Sequence, residues 1–344
     1  MRLIAILALS FLLGYCTTSR VNTTKNDVLS PQDRLSNARV LTTKTGCRPS
    51  SWSSDGQRLA FWNDHMGRPI CSKAYVLDLN DPELEMGNAT QIGPGFGRVF
   101  DPEFLPGDSL LMLTTTHQYE IKECEGDSVA PFFARMRSMQ SIFTTTVYGE
   151  MRDKIIASNA VDGQARISPN GDKLIFISSR AASYGIWRSL PDGSNPNPVI
   201  VGFYFAGEPQ FSPNGEHIVF RGRQSPPEGY EGYLTADIDL RHSDLYMCKW
   251  DGTSVVRLTN LKAATANPVF HPDGNHIIFS SNHHRDDGKR NLFMLNIENN
   301  TLQQITTGDA DETHPIVHPD GKRIAYSAVE HGDREVFLAD LKMD

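Results

Sequence analysis

The sequence predicts an all-β protein: a six-bladed β-propeller of four-stranded antiparallel blades, closed by an N-terminal strand that completes the last blade. Three observations carry this. One turn phrase recurs six times. Each copy is followed by strand patterns at blade-like spacing. The last unit lacks one strand, and a matching strand stands at the other end of the repeat region. No segment between 34 and 344 carries a long helical periodicity.

The turn phrase comes first. Its copies are Trp52-Ser-Ser-Asp-Gly56, Phe104-Leu-Pro-Gly107-Asp108, Ile167-Ser-Pro-Asn-Gly171, Phe211-Ser-Pro-Asn-Gly215, Phe270-His-Pro-Asp-Gly274 and Val317-His-Pro-Asp-Gly321. Pro presets φ near −65°, Asp or Asn favours the next position, and Gly takes the φ > 0 position of a bulged hairpin. Each phrase is therefore a hairpin between a first and a second strand. The second copy reads as a turn shortened by one residue.

Second strands follow directly, for example Arg58-Leu-Ala-Phe-Trp62, Lys173-Leu-Ile-Phe-Ile177 and His276-Ile-Ile-Phe-Ser280. Third strands follow as Ala74-Tyr-Val-Leu-Asp-Leu79, Ser141-Ile-Phe-Thr-Thr-Thr-Val147, Gly185-Ile-Trp187, Asp244-Leu-Tyr-Met-Cys248, Leu292-Phe-Met-Leu-Asn-Ile297 and Glu335-Val-Phe-Leu-Ala-Asp340. Short fourth strands follow several units, as in Val255-Val-Arg-Leu-Thr259 and Leu302-Gln-Gln-Ile-Thr306. The sixth unit stops after its third strand. Ala38-Arg-Val-Leu-Thr-Thr43 precedes the first turn phrase as Leu302-Gln-Gln-Ile-Thr-Thr307 precedes the sixth. Pairing the two ends removes the exposed edges of an open array.

Ahead of the repeats, Met1-Arg2 and the apolar run Leu3 to Leu13 form a short charged and hydrophobic leader. Eleven residues are too few to span a bilayer, which needs about 20. They suit a signal peptide. Leu12-Leu13-Gly14-Tyr15-Cys16 resembles a bacterial lipoprotein signal, so Cys16 is the expected lipid attachment site, although Tyr15 stands where a small residue is usual. Residues 17–33 are polar and aperiodic and read as a tether, with an r.m.s. reach of roughly 20–25 Å. The expected organisation is a signal peptide over 1–16, a tether over 17–33 and a propeller over 34–344. It places an exported protein in the cell envelope, facing the periplasm or the outside, with the membrane engaged through the lipid alone.

The net charge of −8 and pI near 5.8 argue against a nucleic-acid partner. Beyond Cys16 there are four cysteines, Cys47, Cys71, Cys124 and Cys248, and none has zinc spacing. Cys47 and Cys71 open strands on the same side of the first unit, which predicts a disulfide in an oxidising compartment. Cys248 reads as a buried mid-strand hydrophobe.

The repeats resemble those of the TolB-type (PD40, WD40-like) propellers, best from Asn267 to Ser327: NPVFHPDGNHIIFSSN, NLFMLNIENNTLQQITT and DETHPIVHPDGKRIAYS. The resemblance spans roughly 38–344. It implies the propeller fold and leaves function open, because such repeats occur in the TolB envelope protein, peptidase domains and polysaccharide lyases. TolB itself carries an α/β domain ahead of its propeller, whereas a tether is the expectation here. The likeness is to the repeat family rather than to TolB.

Loop lengths point to one face. The turns between first and second strands are tight, whereas 114–140, 221–243 and 281–290, which join second and third strands, are long. Long irregular loops are commonly functional. They carry Tyr119, Phe132, Phe133, Arg135, Met136 and Arg137 in the second unit and Tyr230, Tyr233 and Arg241 in the fourth. These are residue types that anchor protein interfaces. The fifth unit offers His283, His284, Asp286 and Asp287 beside Asp309, Asp311, Glu312 and His314. Imidazoles and carboxylates on one face can hold a divalent metal. His271 and His318 replace the turn Ser and read as turn residues.

Motifs of enzymes are sparse. G-x-S-x-G, H-E-x-x-H and the P-loop pattern do not occur. Gly107-Asp108-Ser109-Leu110 spells an esterase motif but lies in register with the second turn phrase. Two functions follow as expectations. One is a cofactor-free envelope protein that binds a protein or peptide through its loop-rich face. The alternative is a lyase or hydrolase acting at the channel mouth on a polysaccharide or peptide through the His/Asp cluster and a metal.

Overall fold

Hydrogen bonds in the turns show why the phrase repeats. Ser53 N donates to Arg58 O and Gly56 N to Ser53 O, both at 2.9 Å, and Gly56 takes φ of +70°. The same pair recurs from Ser168, Ser212, His271 and His318, with Gly171, Gly215, Gly274 and Gly321 at positive φ. The second copy corrects the expectation of a shortened turn. Leu105 N donates to Leu110 O and Asp108 N to Leu105 O, and Asp108, at φ +56°, stands where the others have Gly. The turn has full length, with Gly and Asp exchanged. Strain at a left-handed Asp is modest. Its carboxylate offsets this by accepting from Ser54 N at 3.0 Å in the neighbouring blade. That contact also gives the Gly-Asp-Ser-Leu run a structural role.

The computed structural model describes residues 34–343 apart from 43–45, 64–71, 82–87, 95–97, 116–139, 157, 182–183, 227–241 and 331. Within them lie six four-stranded antiparallel sheets. The first blade holds β2 (Cys47–Trp52), β3 (Arg58–Asn63), β4 (Lys73–Asp78) and β5 (Thr90–Ile92). The second holds β6 (Val99–Phe104), β7 (Leu110–Thr115), β8 (Ser141–Thr146) and β9 (Met151–Ile156). The third holds β10 (Asp162–Ile167), β11 (Leu174–Ser178), β12 (Gly185–Ser189) and β13 (Asn197–Ile200). The fourth holds β14 (Phe205–Phe211), β15 (His217–Arg223), β16 (Asp244–Lys249) and β17 (Val256–Arg257). The fifth holds β18 (Thr265–Phe270), β19 (His276–Ser281), β20 (Asn291–Asn296) and β21 (Leu302–Gln304). The sixth joins β22 (Glu312–Val317), β23 (Arg323–Glu330) and β24 (Asp333–Leu341) to β1 (Leu35–Val40).

The chain is a six-bladed β-propeller. The first strands of the blades touch one another in cyclic order, and β22 meets β2. Closure occurs as expected but three residues earlier than the apolar pattern suggested. Leu35 pairs with Leu341 and Val40 with Phe337, and a bulge at Asn37 (φ +53°) admits the polar Ser36 and Asn37 into the strand. Contact continues past β1, where Leu41 N donates to Val336 O and Val336 N to Thr42 Oγ1.

Six hydrophobic clusters lie between blades, one at each of the six interfaces. Phe61, Phe176, Phe220 and Phe279 occupy the same position in their blades' second strands and are fully buried. Burial of such a ring is worth about 1.5–3 kcal/mol, so repetition of this site alone is a large part of the core. Cys248 lies in the cluster between the third and fourth blades, as a mid-strand hydrophobe should.

The fourth strands that the apolar pattern does not mark (β5, β9, β13) are largely polar and pair on one edge only. Turns between third and fourth strands tie neighbouring blades together. At Gly193, φ is +81°, and a Cβ there would sit 1.9 Å from Ile155 O in the preceding blade. Gly193→Ala is expected to cost about 2–4 kcal/mol, because the obstacle is backbone and the conformation is left-handed. Urea unfolding checks this, and a loss below about 0.5 kcal/mol would mean that the blades separate easily there.

A charged channel and its aromatic mouth

Each first strand bulges toward the axis of the ring. Asp101, Gln164, Glu208, Asn267 and His314 sit at the bulges with φ between +50° and +56°. Four of them precede Pro (Pro102, Pro209, Pro268, Pro315), and Gln164 precedes Ala165. In the first blade Pro49 stands in this place, and proline cannot adopt positive φ.

The bulges turn their backbone N–H groups toward the preceding blade, where side chains accept them. Gln164 N donates to Thr114 Oγ1 (3.2 Å), Glu208 N to Gln164 Oε1 (2.7 Å), Asn267 N to Glu208 Oε2 (2.5 Å) and His314 N to Asn267 Oδ1 (3.3 Å). Ser50 Oγ donates to Asp101 Oδ1 at 3.0 Å. Bonds to a carboxylate are the stronger kind. This belt fixes the channel wall and offsets the cost of five left-handed residues, of order 1 kcal/mol each.

Two guanidiniums balance the carboxylates. Arg166 forks onto Asp101 with 2.8 and 2.7 Å contacts, and its Nε lies 3.7 Å from Glu103 Oε2. Arg221 Nη1 meets Glu208 Oε1 at 3.1 Å. Burial pushes the Glu103 carboxyl up to about 7; Arg166 opposes this and Asp101 adds to it. Burial also disfavours the charge on Arg166, but Asp101 and Glu103 outweigh it and hold the guanidinium above its usual range.

Ser50, Arg166, Gln210 and Ile316 line the chambers on both sides and so form the waist. A chamber of about 100 Å³ lies toward the loop-bearing face, against Trp62, Phe100 and His314. A wider opening of about 380 Å³ lies toward the tight turns.

Trp62, Phe100 and His314 line the smaller chamber, and cations stack on two of these rings. The Arg48 guanidinium lies 4.6 Å over the Trp62 ring and that of Arg98 4.1 Å over Phe100. Trp62 meets Phe100 and His314 edge-on, at 6.0 and 6.4 Å between centroids. These are favourable geometries for a negative ring face and positive edge. His314 is held neutral, well below its usual range, by burial and then by Arg48, Arg290 and Arg334.

The residues expected to bind a metal are distributed otherwise. His283 and His284 both pack on Phe293, at 4.5 and 5.1 Å between centroids. Burial, and then the neighbouring His284, lowers the His283 imidazole to about 4. Asp287 is forked by Arg285, which also reaches Asp309. Asp286 lies in the same loop, and Asp311 is held by Arg290 and Arg334.

Three ligand atoms within 4.8 Å of one another occur at His271, Asp273 and His276, in the fifth tight turn on the opposite face. Their polar atoms are already engaged. His271 Nε2 meets Gly321 O, its Nδ1 accepts Asp273 N, and His276 Nδ1 meets Asp273 Oδ2. Blade six repeats the arrangement with His318, Asp320 and Arg323, a cation standing where His276 stands. His271 and His318 are turn residues that also reach the next blade.

Several expected sites fall outside the described residues: Cys16, Cys71, Tyr119, Phe132, Phe133, Arg135, Met136, Arg137, Tyr230, Tyr233 and Arg241. Cys47 is buried at the start of β2, and its carbonyl accepts Ser327 Oγ at 2.8 Å.

Comparison with known proteins agrees with this architecture. Residues 225–344 match the family model PD40, TolB beta propeller domain. The chain is a TolB-like β-propeller. A protein TolB homolog from Chlorobaculum tepidum is 38% identical over 56 residues, which is 16% of this chain and only 12% of that relative. TolB from Acinetobacter baumannii superposes with a TM-score of 0.56 at 15% identity, over 85% of this chain and 65% of that one. An oligogalacturonate lyase in complex with manganese superposes with a TM-score of 0.53 at 17% identity, over 89% and 93% of the two chains. Identities this low are likenesses of fold.

Proposed function

We propose that this TolB-like propeller is an exported, lipid-anchored envelope protein that binds a partner polypeptide at the loop-bearing mouth of its channel. The observation that carries the reading is the pair of rings, Trp62 and Phe100, that line the small chamber with Arg48 and Arg98 stacked on them. Trp and Arg are among the residue types most enriched at binding hot spots. A chamber of about 100 Å³, smaller than the roughly 150 Å³ cavity that holds benzene, suits one small inserted side chain. The apolar run before Cys16 and the polar 17–33 support export and a tether. In the sequence, Phe133, Arg135 and Tyr233 belong to the long segments that join second and third strands.

Crosslinking in cells followed by pull-down tests this. Trp62→Ala is expected to reduce capture of a discrete envelope partner about 30-fold, the loss of a hot spot worth about 2 kcal/mol, with folding intact by circular dichroism. Undiminished capture would move the site away from the mouth.

A second reading, a metal-dependent lyase, draws on the manganese-bound relative and on the His271, Asp273 and His276 group. Stoichiometric metal in the purified protein, lost in His276→Ala, would favour it.

A further inference from the structure

Beside the aromatic mouth, guanidiniums gather. Asp311 enters β22 from the loop-bearing face, and two of them converge on it. Arg290 donates from its backbone N (3.0 Å) and Nε (3.2 Å) to Oδ1, and from Nη2 (3.3 Å) to Oδ2. Arg334 Nη2 reaches Oδ2 at 2.6 Å, while its Nη1 donates to Thr313 Oγ1 at 2.7 Å. Asp311 is held down to about 2; burial opposes this, and Arg290 and Arg334 outweigh it.

Arg48 approaches from β2 and adds its field to its neighbours. Burial lowers the Arg334 guanidinium below its usual range; Asp311 counters, and Arg48 and Arg290 add repulsion. His314, between these groups and the chamber, is neutral. Among the described residues, the guanidiniums of Arg290 and Arg334 both hold Asp311, and Arg48 acts on Arg334 from the neighbouring strand. The side chains of Arg290 and Arg334 are 29% and 15% exposed, so solvent reaches the cluster without flooding it. In such partly desolvated places a charge pair is worth more than on an open surface.

We infer that Arg48, Arg290 and Arg334 form a receptor for a carboxylate of the partner polypeptide, either an Asp or Glu side chain or its C-terminus. The inference rests on the proposed partner-binding function and adds the partner's chemistry. A bidentate fork is the natural complement of a guanidinium. An acidic residue can dock on the cluster while a neighbouring side chain enters the chamber lined by His314 and Trp62. A cationic cluster beside an aromatic chamber suits an acidic residue next to an apolar or aromatic one, which favours a polypeptide.

The test uses the purified full chain and calorimetry with three synthetic octapeptides: oligoglutamate amidated at its C-terminus, oligoglutamine amidated in the same way, and oligoglutamine with a free C-terminus. The amidated oligoglutamate should bind, the amidated oligoglutamine should not, and raising the salt to about 0.5 M should weaken binding about tenfold. Binding of the free-acid oligoglutamine alone would assign the site to a C-terminal carboxylate, and the receptor would stand. Arg48→Gln leaves the Asp311 pair intact and should weaken binding about tenfold.

Asp311→Asn discriminates a receptor from a structural pair. It removes the competing carboxylate and should strengthen binding about tenfold, whereas a merely structural role predicts no gain. Equal binding of both amidated peptides, or no gain in Asp311→Asn, would overturn the receptor. So would binding of an oligogalacturonate in preference to every peptide. Loss of peptide binding while Trp62-dependent capture in cells persists would remove the receptor and leave the partner-binding function standing.

Discussion

Arg166→Met is expected to destabilise the propeller by about 3–5 kcal/mol, the range for removing one partner of a buried ion pair. The size follows from what is left behind. Asp101 is forked by Arg166 at 2.7 and 2.8 Å with its side chain 13% exposed, and Glu103 lies 3.7 Å from the same guanidinium. Met fills the volume but leaves both carboxylates facing a narrow channel. A protein with an ordinary margin of about 5–15 kcal/mol loses much of it.

The double variant with Asp101→Asn separates the charge from the packing. It should recover at least half of the loss, because two neutral groups of the same shape do not carry an uncompensated charge. Urea midpoints of the two singles and the double give the coupling. A loss under about 1 kcal/mol in Arg166→Met would mean that channel water already screens the carboxylates, and the waist would then be no barrier between the two chambers.

The fold was legible because it repeats. In the hairpin turns the positive-φ position is taken by Gly, or by Asp at Asp108, so each hairpin announces itself in local chemistry. The alternation after each turn follows from one strand face meeting the next blade. Fourth strands such as β9 were hidden because a polar edge strand has no apolar alternation to betray it.

The channel was hidden for a different reason. Asp101 and Arg166 are 65 residues apart and meet only because consecutive blades place corresponding strands side by side. A signal existed in the residue before each Pro of Asp101-Pro102, Glu208-Pro209, Asn267-Pro268 and His314-Pro315. Gln164-Ala165 and Pro49 break it in the other two blades. Sequence neighbours mislead in the opposite direction at His283 and His284. Adjacent positions bring both rings onto Phe293, and the nearby Asp287 and Asp311 are taken by arginines.

The waist also sets a pH dependence. Glu103→Gln is expected to stabilise the protein by about 3 kcal/mol at pH 8 and to leave it unchanged at pH 4. In the folded chain, burial lifts the Glu103 carboxyl from 4.5 to about 7, against the pull of Arg166. Below pH 4.5 the group is protonated in both the folded and unfolded chain, and its neutral form contributes its full stability. As pH rises through 4.5 the unfolded chain ionises first, so stability is lost progressively until the folded group ionises near 7, and is constant above. A gap of about 2.5 units at 1.36 kcal/mol each gives the magnitude.

Other carboxylates, Asp311 and Asp320 among them, are shifted downward and give the opposite slope. They are common to both proteins and cancel in the difference. Urea unfolding of the two proteins at pH 4, 5.5, 7 and 8 should therefore show curves that coincide at the acid end and diverge through the window. Gln keeps the shape of the side chain and leaves the Arg166–Asp101 fork in place, so a gap independent of pH would point to packing instead. In that case Glu103 would titrate near its ordinary value in the folded chain, and above about pH 5.5 the channel would carry a negative charge on its tight-turn side.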